Sequence, residues 1–343
     1  MAAKPASPGR PSRLATPGRS GGIALKPRLP AAAGLFSEPM ALSALFFSTR
    51  PRHWTKNLVV FAGLGFSGTA FHATSLGRAS LLFLFFILAS SSVYLFNDVL
   101  DRERDRHHPQ KRYRPIASGR LAVSTALQFA ALFAVLAVAG AFVLCLQVGL
   151  AVLAYLVLQF AYSTRLKHVV ILDIFCIGAG FMIRVLAGVL VVNVALSPWL
   201  VACSVQLALF LALCKRRAEA VKLNDGDSMS RPTLEDYAGP GLDVMISIMA
   251  SSTLVTYTLY TLLPANLLSS GALQQSSKAG SPGMVWTVPV VFYGVLRYLY
   301  LVYQRQRGER PEKLVTSDRP LFFAALLYIT ITSLVLYSPW TQN

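Results

Sequence analysis

The sequence predicts an all-α, polytopic membrane helix bundle of nine transmembrane helices with a cytoplasmic N-terminus, and three observations lead there. Hydrophobic residues fill 54% of its 343 positions and charged residues only 14%. The apolar residues gather into long uncharged runs, as crossing a hydrocarbon core of about 30 Å with about 20 residues requires. The Lys and Arg residues fall in short segments between alternate runs, the arrangement that marks the cytoplasmic side of a membrane. A net charge of +17 could suggest nucleic acid, but bases confined to inter-span segments are explained by orientation, so no nucleic-acid partner is expected.

Residues 1–34 are rich in Pro, Ala, Gly and Arg, contain no acid, and lack the continuous apolar core of a signal peptide. They predict a disordered, basic cytoplasmic tail over 1–38, ahead of an integral membrane domain over 39–343. The prolines disfavour an amphipathic transit peptide. Residues 39–49 are apolar but too short to span, and fit the interface before Arg50.

The first span is expected from about Asn57 to Leu76 and the second from Ala79 to Phe96. Residues 121–164 carry no charge and are too long for one crossing, so they divide into spans three and four at a turn near Gln147 and Gly149. The same reasoning splits residues 169–214 near Asn193 and Pro198 into spans five and six. Spans seven, eight and nine follow near 244–263, 284–304 and 320–338. With the N-terminus inside, the segments before spans three, five, seven and nine hold 7, 2, 5 and 5 bases, whereas the opposite loops hold only Arg78 and Lys278. That bias places the chain in the cell membrane with these segments in the cytoplasm. The four cysteines lie in apolar runs without C-x-x-C spacing, so neither a zinc site nor a disulfide framework is expected.

The second span runs into Asn97-Asp98-Val99-Leu100-Asp101-Arg102-Glu103-Arg104-Asp105. On a continuing helix Asn97, Asp101 and Asp105 share one face, and Asp98 joins its edge. Clustered carboxylates and an amide oxygen suit Mg²⁺, which commonly shares its shell with substrate phosphates. Two readings stand: a Mg-diphosphate site, or a solvated helix end neutralised by Arg102, Arg104 and Arg106. The sequel, His108 to Gly119, favours the first. It is a basic loop braced by Pro109 and Pro115 that can set Lys111, Arg112 and Arg114 against phosphate oxygens. His107 and His108 read as loop polar groups.

A second set follows span four: Tyr162-Ser163-Thr164-Arg165-Leu166-Lys167, then Asp173, with Arg184 deep in span five. Eleven residues separate Asp173 from Arg184, so both project from one face roughly 16 Å apart. Ionisable residues within spans mark a functional path or are neutralised by structural partners. Lys56 and Asn57, after Arg50-Pro51-Arg52-His53-Trp54, form a third polar cluster. Trp54 and Tyr113 fit interfacial anchors, and Arg50 and Arg52 fit an orientation role.

Asn97-Asp98-x-x-Asp101-x-x-x-Asp105 resembles the first Asp-rich motif of the UbiA superfamily of intramembrane prenyltransferases. The resemblance implies a nine-helix UbiA-like transferase that uses Mg²⁺ to bind a diphosphate. Three further motifs narrow it. Arg50-Pro51-Arg52-x-Trp54-x-Lys56-Asn57, Lys111-Arg112-x-Arg114-Pro115-Ile116-Ala117-Ser118-Gly119, and Tyr162-Ser163-x-x-Leu166-Lys167 with Asp173 and Gly180-Phe181-x-x-Arg184 are similar to one branch of that superfamily. That branch transfers 5-phosphoribose from phosphoribosyl diphosphate to a polyprenyl phosphate such as decaprenyl phosphate, toward cell-wall arabinan. The chain departs from the wider pattern, since a single Asp173 stands where aromatic prenyltransferases carry a second acidic cluster.

On this reading Asn97, Asp98, Asp101 and Asp105 hold the metal. Lys111, Arg112, Arg114, Tyr162, Lys167 and Asp173 hold the phosphoribosyl donor. Asp101, Asp105 and Asp173 act on the reacting bond, and Arg52, Lys56 and Arg184 guide the acceptor phosphate. One rival is a UbiA-type enzyme moving a prenyl group from prenyl diphosphate to an aromatic or glycerol-type acceptor. Another is a secondary transporter, disfavoured because no repeated halves are visible. A homo-oligomer is compatible with such a bundle, though the pattern reveals no interface.

Overall fold

A computed structural model describes residues 38–66, 72–193, 198–224, 237, 239–263, 282–305 and 311–337. The expected tail, apart from Glu38, lies outside the described residues, as do Arg231, Lys278, Arg307 and Arg310 of the charge bias. Among the described residues every regular element is helical.

Helix α1 (Glu38–Ser48) has 11 residues, too few to span. It buries Ala44 and Leu45 against Leu95, Ile116 and Leu121 and leaves Leu42, Phe46 and Phe47 exposed. Arg50, with φ 54, turns the chain into a 3-10 segment, Pro51–Val60, which passes into the short α2 (Phe61–Phe66). The expected first span is therefore not one continuous helix. Gly63 and Gly65 weaken helix propensity there, and Ala73–Leu76 instead open α3 (Ala73–Leu100). The short α4 (Arg102–His107) follows almost without a break.

Next come α5 (Val123–Leu144), α6 (Leu146–Thr164), α7 (Leu172–Val191), α8 (Pro198–Asn224) and α9 (Pro240–Leu262). A 3-10 turn, Pro282–Thr287, leads into α10 (Val288–Gln304); α11 (Pro311–Ser317) and α12 (Arg319–Tyr337) end the described chain. Among the described residues, seven helices are long and apolar enough to cross a membrane: α3, α5, α6, α7, α9, α10 with its 3-10 lead-in, and α12. The chain is a multi-pass membrane protein.

The α5–α6 turn falls at Cys145, which is fully extended at φ −174, and not at Gln147 and Gly149. The Arg78 guanidinium caps the end of α5 by donating to the Leu144 carbonyl at 3.1 Å. Gly149 lies inside α6, where the Phe142 ring occupies the space of its missing Cβ. Its role is packing.

Consecutive helices pack as neighbours from α5 to α9, and α3 lies along α5. One core joins Val60, Leu82, Phe86, Val152 and Tyr155 between the 3-10 segment, α3, α6 and α7. Another joins Ile174, Phe210, Leu213, Ile246 and Tyr298 between α7, α8, α9 and α10. Helix α7 belongs to both. Helices in lipid associate through close packing and small residues, and here α7 meets the 3-10 segment at Gly188. A Cβ added there would stand 2.0 Å from the Val60 carbonyl oxygen.

Candidate functional site

Antiparallel connectivity brings the end of α3, the start of α5, the end of α6, the start of α7 and the end of α8 to one side. The acidic segment is positioned by α3, whose backbone pattern continues through Asp101. The Asp101 amide donates to the Asn97 carbonyl at 2.9 Å, and the Asp105 amide to the Asp101 carbonyl at 2.8 Å. Asp101 itself, at φ −88 and ψ 4, is the joint between α3 and α4.

The expected shared face of Asn97, Asp101 and Asp105 is divided by its partners. Asp98 and Asp105, only 3% and 2% exposed, both meet Arg114, whose Nη1 lies 3.1 Å from Asp98 Oδ1 and 2.6 Å from Asp105 Oδ2. Seven residues on a helix return to nearly the same face, which brings these two acids to one cation. Asp98 is also paired with Arg50. Asp101, 27% exposed, turns instead to Lys167 Nζ at 3.2 Å. Of the local arginines suggested by the solvated-end reading, Arg106 and Arg102 pair with Glu103. The site acids take their partners from other elements.

The basic loop is fixed by its own burial. Ile116 and Leu121 pack into the α1–α3–α5 core, Ala117 is buried, the Leu121 amide donates to the Pro115 carbonyl, and Arg106 Nε donates to the Ala117 carbonyl. This anchors Arg114 beneath the acids. Arg112 is exposed and lies over the Tyr113 ring at 4.9 Å. Lys111 starts a 3-10 turn whose amide donates to His108 Nδ1. His107 Nδ1 in turn is bonded to the Glu103 carbonyl, so both histidines serve the loop.

Lys167 sits on a 3-10 turn, Leu166–His168, and links the acidic segment to a second polar group at the start of α7. There Asp173 is buried, with Arg216 Nε donating to its Oδ2 at 2.7 Å and Tyr237 Oη donating to its Oδ1 at 2.6 Å. Arg216 also binds Glu219 and reaches Tyr162 Oη at 3.2 Å. Tyr237 accepts the Ile171 amide at 2.7 Å. Ile171 has φ 70, a strained conformation for a β-branched residue. Burial and the bond to Asp173 push the Tyr237 phenol well up from its ordinary range.

Arg184 lies apart from both groups, buried among α3, α6 and the 3-10 segment. Its Nε donates to Asn57 Oδ1, Nη1 to the Gly180 carbonyl and Nη2 to Tyr155 Oη. Asn57 in turn donates to Ser90 Oγ. The guanidinium lies 4.5 Å from the Tyr155 ring centroid and 5.5 Å from that of Phe181. It works as a strut holding the 3-10 segment to the bundle.

Among the described residues no three His, Cys, Asp or Glu side chains converge as a metal group. The acidic segment nevertheless fits a hard cation. Asn97 Oδ1 is buried without a hydrogen-bond partner, and amide and carboxylate oxygens, which this segment carries, are the ligands such an ion takes.

Residues 58–327 match the UbiA prenyltransferase family. The chain belongs to that family. A decaprenyl-phosphate phosphoribosyltransferase of Mycobacterium tuberculosis is 33% identical over 284 residues, covering 82% of this chain and 90% of the relative. One of Mycolicibacterium smegmatis is 32% identical over 302 residues, covering 86% and 93%. The fold is similar to that of a UbiA homolog from Archaeoglobus fulgidus solved with DMAPP and Mg²⁺, with a TM-score of 0.64, 17% identity, and coverage of 86% of this chain and 99% of that one. As a UbiA family member, the chain is a transferase.

Three residues not assigned to the site from the sequence stand within it: Arg50, which opens one of the motifs but by sequence fits an orientation role, and Arg216 and Tyr237, which lie in none of them. Arg216 had a signal, because Lys215-Arg216-Arg217-Ala218-Glu219 is a charged cluster closing an apolar run. Tyr237 had none.

Proposed function

We propose that this UbiA family protein transfers 5-phosphoribose from phosphoribosyl diphosphate to a polyprenyl phosphate such as decaprenyl phosphate, releasing diphosphate, with Mg²⁺ as cofactor. The observation that carries the reading is similarity over nearly the whole length of relatives named for that reaction. The two-walled site supports it. An acidic segment lined by Arg114 and Lys167 suits a diphosphate, and a single Asp173 among Arg216, Tyr162 and Tyr237 suits a hydroxylated sugar phosphate.

Asn97, Asp101 and Asp105, assisted by Asp98, would hold Mg²⁺, which supplies charge neutralisation for the departing diphosphate. Lys111, Arg112, Arg114 and Lys167 bind phosphate oxygens of the donor. Tyr162 and Asp173, fixed by Arg216 and Tyr237, orient the ribose so that C1 faces the acceptor, and the Asp173 charge favours a cationic ribosyl centre. An acceptor phosphate oxygen forms the new bond to C1 as the C1–O bond to diphosphate breaks, the electron pair leaving with diphosphate. The acceptor is already an anion, so positioning supplies much of the rate and no general base is needed. Arg52 and Lys56 guide the acceptor phosphate. The reading includes nine crossings, with α8 and the Pro51–Phe66 segment completing them, and the site on the cytoplasmic face of the cell membrane.

Purified protein supplied with labelled phosphoribosyl diphosphate and decaprenyl phosphate should yield a labelled lipid only with Mg²⁺. Labelled product instead from prenyl diphosphate and 4-hydroxybenzoate would overturn the reading.

A further inference from the structure

We propose that Arg114, with Arg50 beside it, is a resident counter-cation of the Asp98–Asp105 pair that a divalent metal must displace, so that metal and diphosphate each bind tightly only when the other is present. The inference rests on the proposed function and extends it to the order and coupling of binding.

Its basis is the place of one nitrogen. Arg114 Nη1 is within hydrogen-bond distance of a carboxylate oxygen from each of two acids a helical repeat apart, where a cation bridging them would sit. Both acids are almost fully buried, and a buried carboxylate left without a counter-charge is strongly unfavourable. Arg50 supplies a second positive charge to Asp98, and its own guanidinium lies 5.0 Å from the Tyr94 ring centroid. Asp101 has Lys167. Without a metal, the acidic segment is thus already neutralised by the protein.

A metal ion entering alone would gain carboxylate oxygens but push at least one guanidinium into like-charge proximity. The loop around Arg114 is pinned by the burial of Ile116 and Leu121 and by the Arg106 bond to the Ala117 carbonyl, so its displaced side chain stays close by. A diphosphate removes the conflict. It accepts the freed guanidinium in bidentate, charge-assisted bonds while sharing the metal. The converse follows by linkage, since the diphosphate gains its arginine only when a metal takes over the acids.

The test uses Mn²⁺ as metal probe, followed by the loss of its free-ion resonance signal, and pyrophosphate as the anion, on full-length protein in detergent. For the wild type, saturating pyrophosphate should tighten Mn²⁺ binding by roughly tenfold or more after correction for the solution complex. Arg114→Gln should bind Mn²⁺ alone roughly tenfold more tightly than the wild type and lose most of the coupling. Arg50→Gln should shift both in the same direction, and with the wild type it keeps the test decisive should Arg114→Gln fail to fold. Mn²⁺ affinity that is independent of pyrophosphate in the wild type, or unchanged or weakened in the folded arginine variants, would overturn the inference and leave a metal-dependent transfer standing. No Mn²⁺ binding in any form, with or without pyrophosphate, would remove the metal reading and the inference together.

Discussion

Arg216 Nε donates to Asp173 Oδ2 across 2.7 Å, joining the end of α8 to the start of α7 through a pair that is 3% and 1% exposed. Removing Arg216 takes away the counter-charge of the buried Asp173 carboxylate, which costs about 3–5 kcal/mol. Removing the Asp173 charge leaves Arg216 paired with Glu219 and costs less. Asp173→Asn and Arg216→Gln should each lower the thermal unfolding midpoint in detergent and abolish phosphoribosyl transfer. The double variant should regain part of the stability and none of the activity. A double variant no more stable than either single one would argue against the pair as described.

The acidic segment is testable without disturbing the core. Asp101 is the most exposed of its three Asp residues at 27%, so Asp101→Asn should keep the folded protein while lowering Mg-dependent transfer by at least about 100-fold, the range seen when a preorganised charge-stabilising group is lost. Full activity in the folded variant would sink the metal reading.

Gly188 tests the packing of α7 on the 3-10 segment. Its added Cβ would stand 2.0 Å from the Val60 carbonyl, so Gly188→Ala should destabilise by about 1–3 kcal/mol. Gly65→Ala, which meets nothing within 4 Å, should leave the unfolding midpoint almost unchanged.

Arg184 makes three donor contacts that a lysine cannot reproduce. Arg184→Lys should cost on the order of 2–3 kcal/mol of stability, as expected for lost bonds to a charged donor, with KM for polyprenyl phosphate within about twofold of wild type. A raised KM without loss of stability would instead return Arg184 to the acceptor site.

The raised phenol of Tyr237 gives a pH signature. The folded state holds its proton more tightly than the unfolded state, so its contribution is complete below the ordinary tyrosine value of about 10 and is lost as pH rises towards the folded value. The wild-type midpoint should fall more steeply between pH 9 and 11 than that of Tyr237→Phe, since each pKa difference acts through proton uptake, here on the order of one proton. Parallel curves would show that Tyr237 does not hold its proton through Asp173.

Most helices could be read from the chain because lipid demands long uncharged runs, and these are local properties. Boundaries were less legible. Gly149 looked like a turn residue, yet Phe142 fills its missing side chain and the break falls at Cys145. The first expected span is likewise not a single α-helix, because a run of adequate hydropathy says nothing of whether the backbone is α or 3-10.

The sequence by itself determined that this is a multi-pass membrane protein carrying an acidic segment from Asn97 to Asp105 beside a proline-braced basic loop. Composition and close spacing contain that much. Only the tertiary structure decided which cation meets which acid. Arg50 and Asp98 are 48 residues apart, Lys167 and Asp101 are 66 apart, and Tyr237 and Asp173 are 64 apart. Such pairs form because hairpin connectivity returns alternate helix ends to one side and buried charges there must be compensated, and neither condition leaves a mark on neighbouring residues.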